Sequence, residues 1–233
     1  MMVERQTLYR WVRNGTVSRL RVALNAGLDP NHRNARRRTL LHVAAASGQA
    51  EVARLLLEYG AVVDDQPDPG QTPLLEAIVK GHAEVMRVLI DYGADIWVES
   101  REGMTMLHAA AFWGDEECIQ VLVDAGLPLD MADDAGMTPL HYAARFSPAY
   151  RAETVRYLVQ LGARVNVRDR RGQTPLHLAA STSDPVVVMA LLACGANPRI
   201  RDDEGRTAWD VADGRDGEVI RALLEVALAN DRE

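Results

Sequence analysis

Lysine is almost missing from this chain. Lys80 is the only one among 233 residues, and the other basic side chains are all arginine. Phenylalanine occurs twice and aromatic residues make up only 5%, so the place of each ring is informative. Two cysteines, Cys118 and Cys194, are too few for a disulfide framework. They are expected to be buried and reduced. No apolar run approaches the ~20 residues of a membrane-spanning helix. Residues 1–15 hold charges where a secretory signal would hold an apolar core. A cytoplasmic protein with no membrane partner is therefore expected. Positive charge is not in excess: 26 basic residues face 33 acidic ones, a net of −7, which disfavours nucleic acid as a partner. No Ser-His-Asp or Cys-His set stands out, and no glycine-rich phosphate loop follows a strand. Neither enzymatic activity nor a cofactor is expected.

What is present is a period. Thr39, Thr72, Thr105, Thr138, Thr174 and Thr207 follow one another at 33, 33, 33, 36 and 33 residues. The strings they open align: Thr39-Leu-Leu-His42, Thr72-Pro-Leu-Leu75, Thr105-Met-Leu-His108, Thr138-Pro-Leu-His141 and Thr174-Pro-Leu-His177. A glycine stands two residues before five of the six threonines: Gly70, Gly103, Gly136, Gly172 and Gly205. A second glycine closes each unit at Gly60, Gly93, Gly126, Gly162 and Gly195. The physics of the columns is local. The first glycine suits a tight turn, threonine caps a helix, and proline fits the first helical position. Small residues such as Ala110-Ala111 and Ala143-Ala144 let neighbouring helices approach. Gly48, Gly81 and Gly114 separate this short helix from a second one, and the closing glycine ends that second helix.

These residues resemble the ankyrin repeat across nearly the whole chain. The resemblance rests on Gly-x-Thr-Pro-Leu-His, the 33-residue period and the glycine that closes helix two. It implies an all-α repeat solenoid of stacked helix-turn-helix ankyrin repeats with projecting β-turn fingers. A single domain over 1–233 is expected, with units at 1–33 (cap), 34–66, 67–99, 100–132, 133–168, 169–201 and 202–233 (cap). One unit cannot bury its own apolar face, so stability comes from neighbours. Arg37 replaces the finger glycine of the second unit, which predicts a different turn there, and Leu75 replaces the histidine. Three extra residues of the fifth unit fall within 147–152, between its helices.

His42, His108, His141 and His177 recur once per unit. That spreads them along the array instead of converging them on an ion, and no metal site is expected. The resemblance implies that each bonds its threonine and adjacent backbone. Cys118 and Cys194, two repeats apart, are not expected to meet.

The resemblance also implies a non-catalytic module that binds another protein through the fingers and two positions late in helix one, on the concave face. Those two positions read Ala46-Ser47, Val79-Lys80, Phe112-Trp113, Arg145-Phe146 and Ser181-Thr182. Both phenylalanines fall in the central pairs. The finger position before threonine is apolar in the same two units, at Met104 and Met137. Trp97 occupies a loop column that elsewhere holds Asn31, Asp64, Asp130, Asn166 and Arg199. Trp97, Met104, Phe112, Trp113, Met137, Arg145 and Phe146 are therefore the expected binding patch. Packing between helices is the competing role for any one of them. From residue 61 to 134 there are 16 acidic and 3 basic residues, which favours a partner with a basic centre. Alternative forms of the function are a dedicated inhibitor or immunity-type protein, or a host-directed effector. Nucleic-acid binding by the flanking arginines ranks below these. A monomer is expected.

Overall fold

The structure is a computed structural model that describes residues 5–67, 71–146, 151–182 and 184–230. Fourteen helices and no strand occur among them. In chain order they are α1 (Arg5–Arg13), α2 (Val17–Asn25), α3 (Leu40–Ala46), α4 (Ala50–Glu58), α5 (Pro73–Val79), α6 (Ala83–Asp91), α7 (Met106–Trp113), α8 (Glu116–Asp124), α9 (Pro139–Arg145), α10 (Arg151–Gln160), α11 (Pro175–Ser181), α12 (Pro185–Ala193), α13 (Ala208–Val211) and α14 (Gly217–Asn230). The chain divides into two compact units. One comprises Met1–Ser100 with Glu117–Leu127, the other Arg101–Glu116 with Pro128–Glu233. Gly70 and residues 147–150, which hold most of the insertion, lie outside the described residues.

Each short first helix begins where the sequence predicts. Thr39, Thr72, Thr105, Thr138, Thr174 and Thr207 all sit at the N-cap in extended backbone. The second helices end in a left-handed glycine whose following amide returns to a carbonyl five residues back. Ala61 bonds Leu56 at 3.0 Å, Leu127 bonds Leu122 at 3.1 Å and Ala196 bonds Leu191 at 2.9 Å. The last unit shows what happens without that stop. The column that should hold glycine is Leu228, and α14 runs on to 14 residues where α12 has 9.

The core of the first unit is built by leucines and isoleucines of successive helices, among them Leu41, Leu56, Leu74, Leu89 and Leu122. In the second unit Leu107, Leu140, Leu158, Leu191 and Leu224 do the same. Burying each contributes about 1.5–3 kcal/mol relative to exposure. Cys118 is fully buried, as expected; Cys194 is half-exposed, because it is the cap residue of α12 and not a core position. Neither is in a disulfide.

Four fingers of the second compact unit are linked in series through backbone. The amides of Asp134, Arg170 and Asp203 donate to the carbonyls of Glu102, Ala135 and Arg171 at 3.0, 2.9 and 3.0 Å. Glycine makes this approach possible. A Cβ on Gly136, whose φ is +78°, would stand 2.7 Å from the amide nitrogen of Arg170. The finger at Arg37 does not differ as predicted. Arg37 itself takes φ +60°, and its amide bonds the Asn34 carbonyl at 2.9 Å, as Gly136 bonds Asp133. An arginine is thus held in the left-handed region at a steric cost glycine avoids.

Candidate functional site

Inside the second unit, the threonine-to-histidine spacing fixes where the last turn of each first helix falls. Seven and eight residues after Thr105 come Phe112 and Trp113, the end of α7. The same offsets from Thr138 give Arg145, the last residue of α9, and Phe146, its C-cap. These four side chains meet. The rings of Phe112 and Trp113 pack edge to face with centroids 5.2 Å apart, and Phe112 lies 6.2 Å from Phe146. The Arg145 guanidinium sits 4.8 Å above the Phe146 ring. Aromatic pairs of this kind contribute about 0.5–1.5 kcal/mol beyond area burial, which favours this arrangement of the rings.

Tyr142, not anticipated in the sequence, carries this surface from below. Its ring packs 5.3 Å from Phe146 and 5.0 Å from His108, and its hydroxyl donates to Asp133 Oδ2 at 2.8 Å. The other Asp133 oxygen accepts the Ala135 and Met137 amides at 2.8 Å each. One buried carboxylate therefore ties the finger turn to α9 and to the aromatic cluster. Burial, then the neighbouring carboxylate, pushes the Tyr142 hydroxyl well above its usual pKa. A signal existed: four residues after threonine the other first helices carry Val43, Glu76, Ala109, Leu178 and Val211, and only here a ring.

The predicted patch is partly assembled. Trp113 is 43% exposed, Arg145 is exposed, and Met104, Phe112 and Phe146 are half-buried. Met137 is a correction: only 6% exposed, it belongs to the packing, because the finger turn folds its side chain inward. Its carbonyl accepts His108 Nε2–H at 2.8 Å. Trp97 belongs to the other compact unit. Its column has a structural role elsewhere. Asn31 Oδ1 accepts the Val62 amide at 2.8 Å, Asp64 accepts that of Asp95 at 3.1 Å, and Asn166 accepts that of Asn197 at 2.8 Å. Trp97 has no such oxygen, and its side chain stands 54% exposed.

The recurring histidines serve the helix ends. Each Nδ1 faces its threonine and accepts the threonine amide, at 3.3 Å for His42 and 3.0 Å for His141. Each Nε2 faces a carbonyl one repeat on: Gln71, Met137, Gln173 and Arg206 for His42, His108, His141 and His177. A nitrogen facing a carbonyl must carry the proton, so the neutral Nε2–H tautomer is fixed. Burial, the largest cause, holds His42, His141 and His177 below the usual imidazole pKa, and the acceptor carbonyl partly offsets it. Asp210 replaces the histidine in the last unit and accepts from both the amide and hydroxyl of Thr207, at 2.7 and 2.8 Å. Among the described residues no three His, Cys, Asp or Glu side chains are grouped to hold a metal. No described helix is long and apolar enough to cross a membrane.

Comparison with known proteins agrees with this architecture. The family described as "Ankyrin repeats (3 copies)" matches residues 8–100, 97–169 and 149–232. The ankyrin repeat domain of human ASB11 superposes with a TM-score of 0.79 at 28% identity, covering 94% of this chain and 96% of that one. The ankyrin repeat domain of Bcl-3, a member of the IkappaB protein family, does so with a TM-score of 0.74 at 27% identity, covering 91% and 96%. Among curated sequences, potassium channel KOR2 of Oryza sativa subsp. japonica is 45% identical over 69 residues, 30% of this chain and 10% of that protein. Serine/threonine-protein kinase 12 of Arabidopsis thaliana is 38% identical over 63 residues, 27% of this chain and 14% of that protein. This chain thus spans only a small part of those two relatives. With a matching profile from residue 8 to 232, threonine-capped helix pairs every 33 residues and fingers joined by backbone bonds, the chain belongs to the ankyrin-repeat family.

Proposed function

We propose that this protein is a non-catalytic recognition module of the cytoplasm that binds a partner protein through Phe112, Trp113, Arg145, Phe146 and Met104, with Trp97 a separate exposed anchor. Ankyrin repeat domains generally mediate protein–protein interaction, and the fold is typically non-catalytic. The observation that carries the reading is the preassembled cluster. Rings already locked against one another lose little freedom on binding, while the Trp113 face stays open to a partner. Tryptophan and arginine are the side chains most often found at the energetic centre of an interface.

The acidic stretch from 61 to 134 favours a partner with a basic centre, by steering and by excluding like-charged competitors. Blocking such a partner's working surface, as an inhibitor, immunity-type protein or effector does, is the specific form this favours. Nucleic acid is a poorer fit, since several flanking arginines already pair with aspartates: Arg33 with Asp65, Arg164 with Asp130, Arg168 with Asp203.

The test is affinity capture from native lysate with wild type and Phe112→Ala/Trp113→Ala, after circular dichroism shows equal helicity and equal melting. A protein retained by the wild type and lost by the variant supports the site, with affinity expected to fall roughly thirtyfold or more. Identical capture by both proteins refutes it.

A further inference from the structure

The outward face of the second helices changes character along the chain. One outward column reads Glu51, Glu84, Glu117, Glu153 and then Val186, Val219. The next reads Arg54, Arg87, Gln120, Arg156 and then Met189, Ala222. The third reads Glu58, Asp91, Asp124, Gln160 and then Ala193, Val226. In four units these positions are charged or polar, and in the last two they are all apolar. Packing among the described residues does not explain the switch, because α12 and α14 are buried through other residues: Val187, Val188, Leu191, Ile220 and Leu224. Val186, Met189, Val219 and Val226 are instead 53, 46, 53 and 60% exposed. Where the later turns of the two helices meet the loop at 195–198 lies an open groove of about 440 Å³, whose helix-borne wall is Met189, Leu192, Leu223, Val226 and Ala227. Water-facing apolar surface of this kind calls for a cover.

We propose that a second copy of this chain covers it, α12 and α14 of one copy packing on α14 and α12 of the other. Charge at the two borders selects this occupant. On the α10 side stands Arg156, 52% exposed and only loosely paired with Glu153 at 3.9 Å. On the far side of α14 stand Glu218 and the Glu225 carboxylate, which accepts Trp209 Nε1–H at 3.2 Å. By the 33-residue register Arg156 is level with Ala222, so Glu218 and Glu225 lie about one turn to either side of it. A twofold axis along the groove brings Arg156 of each copy to the acidic edge of the other. The apolar face meets itself, and the opposite charges meet twice, which is the requirement of an isologous contact.

Size sets the strength. The apolar patch is the three outward columns of two helices with Leu192 and Leu223, far fewer residues than the about 20–30 each side gives to a standard interface. The dimer is therefore weak and concentration-dependent, in place of the monomer expected from the sequence.

Sedimentation velocity of the full chain from micromolar to millimolar concentration tests this. The wild type should move toward twice the monomer mass. Val186→Glu/Met189→Arg restores the side chains that earlier units carry at the same columns, so it should melt like the wild type yet remain monomeric. Arg156→Glu should weaken association roughly tenfold, and adding Glu218→Arg/Glu225→Arg should recover it. A wild type that stays monomeric, a Val186→Glu/Met189→Arg variant that associates as before, a mass that grows past the dimer, or an Arg156→Glu variant with unchanged association would each overturn the proposal.

Discussion

Replacing His141 by leucine, the residue the third unit already carries at Leu75, isolates what the capping histidine contributes. His141 is fully buried and makes two kinds of contact at once: Nδ1 accepts the Thr138 amide at 3.0 Å, and Nε2–H donates to the Gln173 carbonyl at 3.2 Å. Leucine makes neither. The Thr138 amide, itself buried, is left without an acceptor at about 1–3 kcal/mol, and the cross-repeat bond adds about 0.5–1.5 kcal/mol. The larger apolar side chain offsets part of this, so a loss of about 2 kcal/mol at neutral pH is expected. The histidine also leaves a signature in pH. Burial holds the folded imidazole below its ordinary pKa, so the unfolded chain takes up the proton first. Stability from this group is complete above about pH 6.5 and is lost as pH falls from there toward the lowered folded value, at up to about 1.4 kcal/mol per pH unit. His42 and His177 act with the same sign. Urea unfolding followed by circular dichroism at several pH values should show the wild type and His141→Leu converging in stability as pH drops below 6.5. Parallel curves for the two proteins, or a neutral-pH stability equal to wild type, would refute this account of the column.

Three further substitutions probe the fingers. Arg37→Gly should raise the melting temperature, with a gain of about 0.5–1 kcal/mol. It relieves a φ of +60° at a non-glycine residue while giving back some unfolded-state entropy. Gly136→Ala should cost about 1–3 kcal/mol more than Gly205→Ala in chemical denaturation. Both glycines have positive φ, but only at Gly136 does a Cβ meet the neighbouring finger, 2.7 Å from the Arg170 amide. Equal losses at the two positions would mean the contact between fingers carries no energy.

The period, the helix starts and the helix ends were legible in the sequence because each is set within a few residues. Threonine caps, proline at the first turn and a left-handed glycine act locally, and repetition every 33 residues amplifies them. The grouping of Phe112, Trp113, Arg145 and Phe146 was legible for the same reason, since a fixed register places equal offsets side by side. Exposure was not legible. Met137 occupies the same column as Met104, yet it is buried, because the Asp133 carboxylate pulls the finger turn and Tyr142 together beneath it. Arg37 keeps a glycine's conformation because the Asn34 carbonyl and side chain hold the turn closed around it. Which residues repeat, and where each helix stops, follows from neighbours along the chain. Which side of a residue faces water depends on atoms more than twenty-five positions away, such as the Gln173 carbonyl over His141, and only the assembled repeats bring those together.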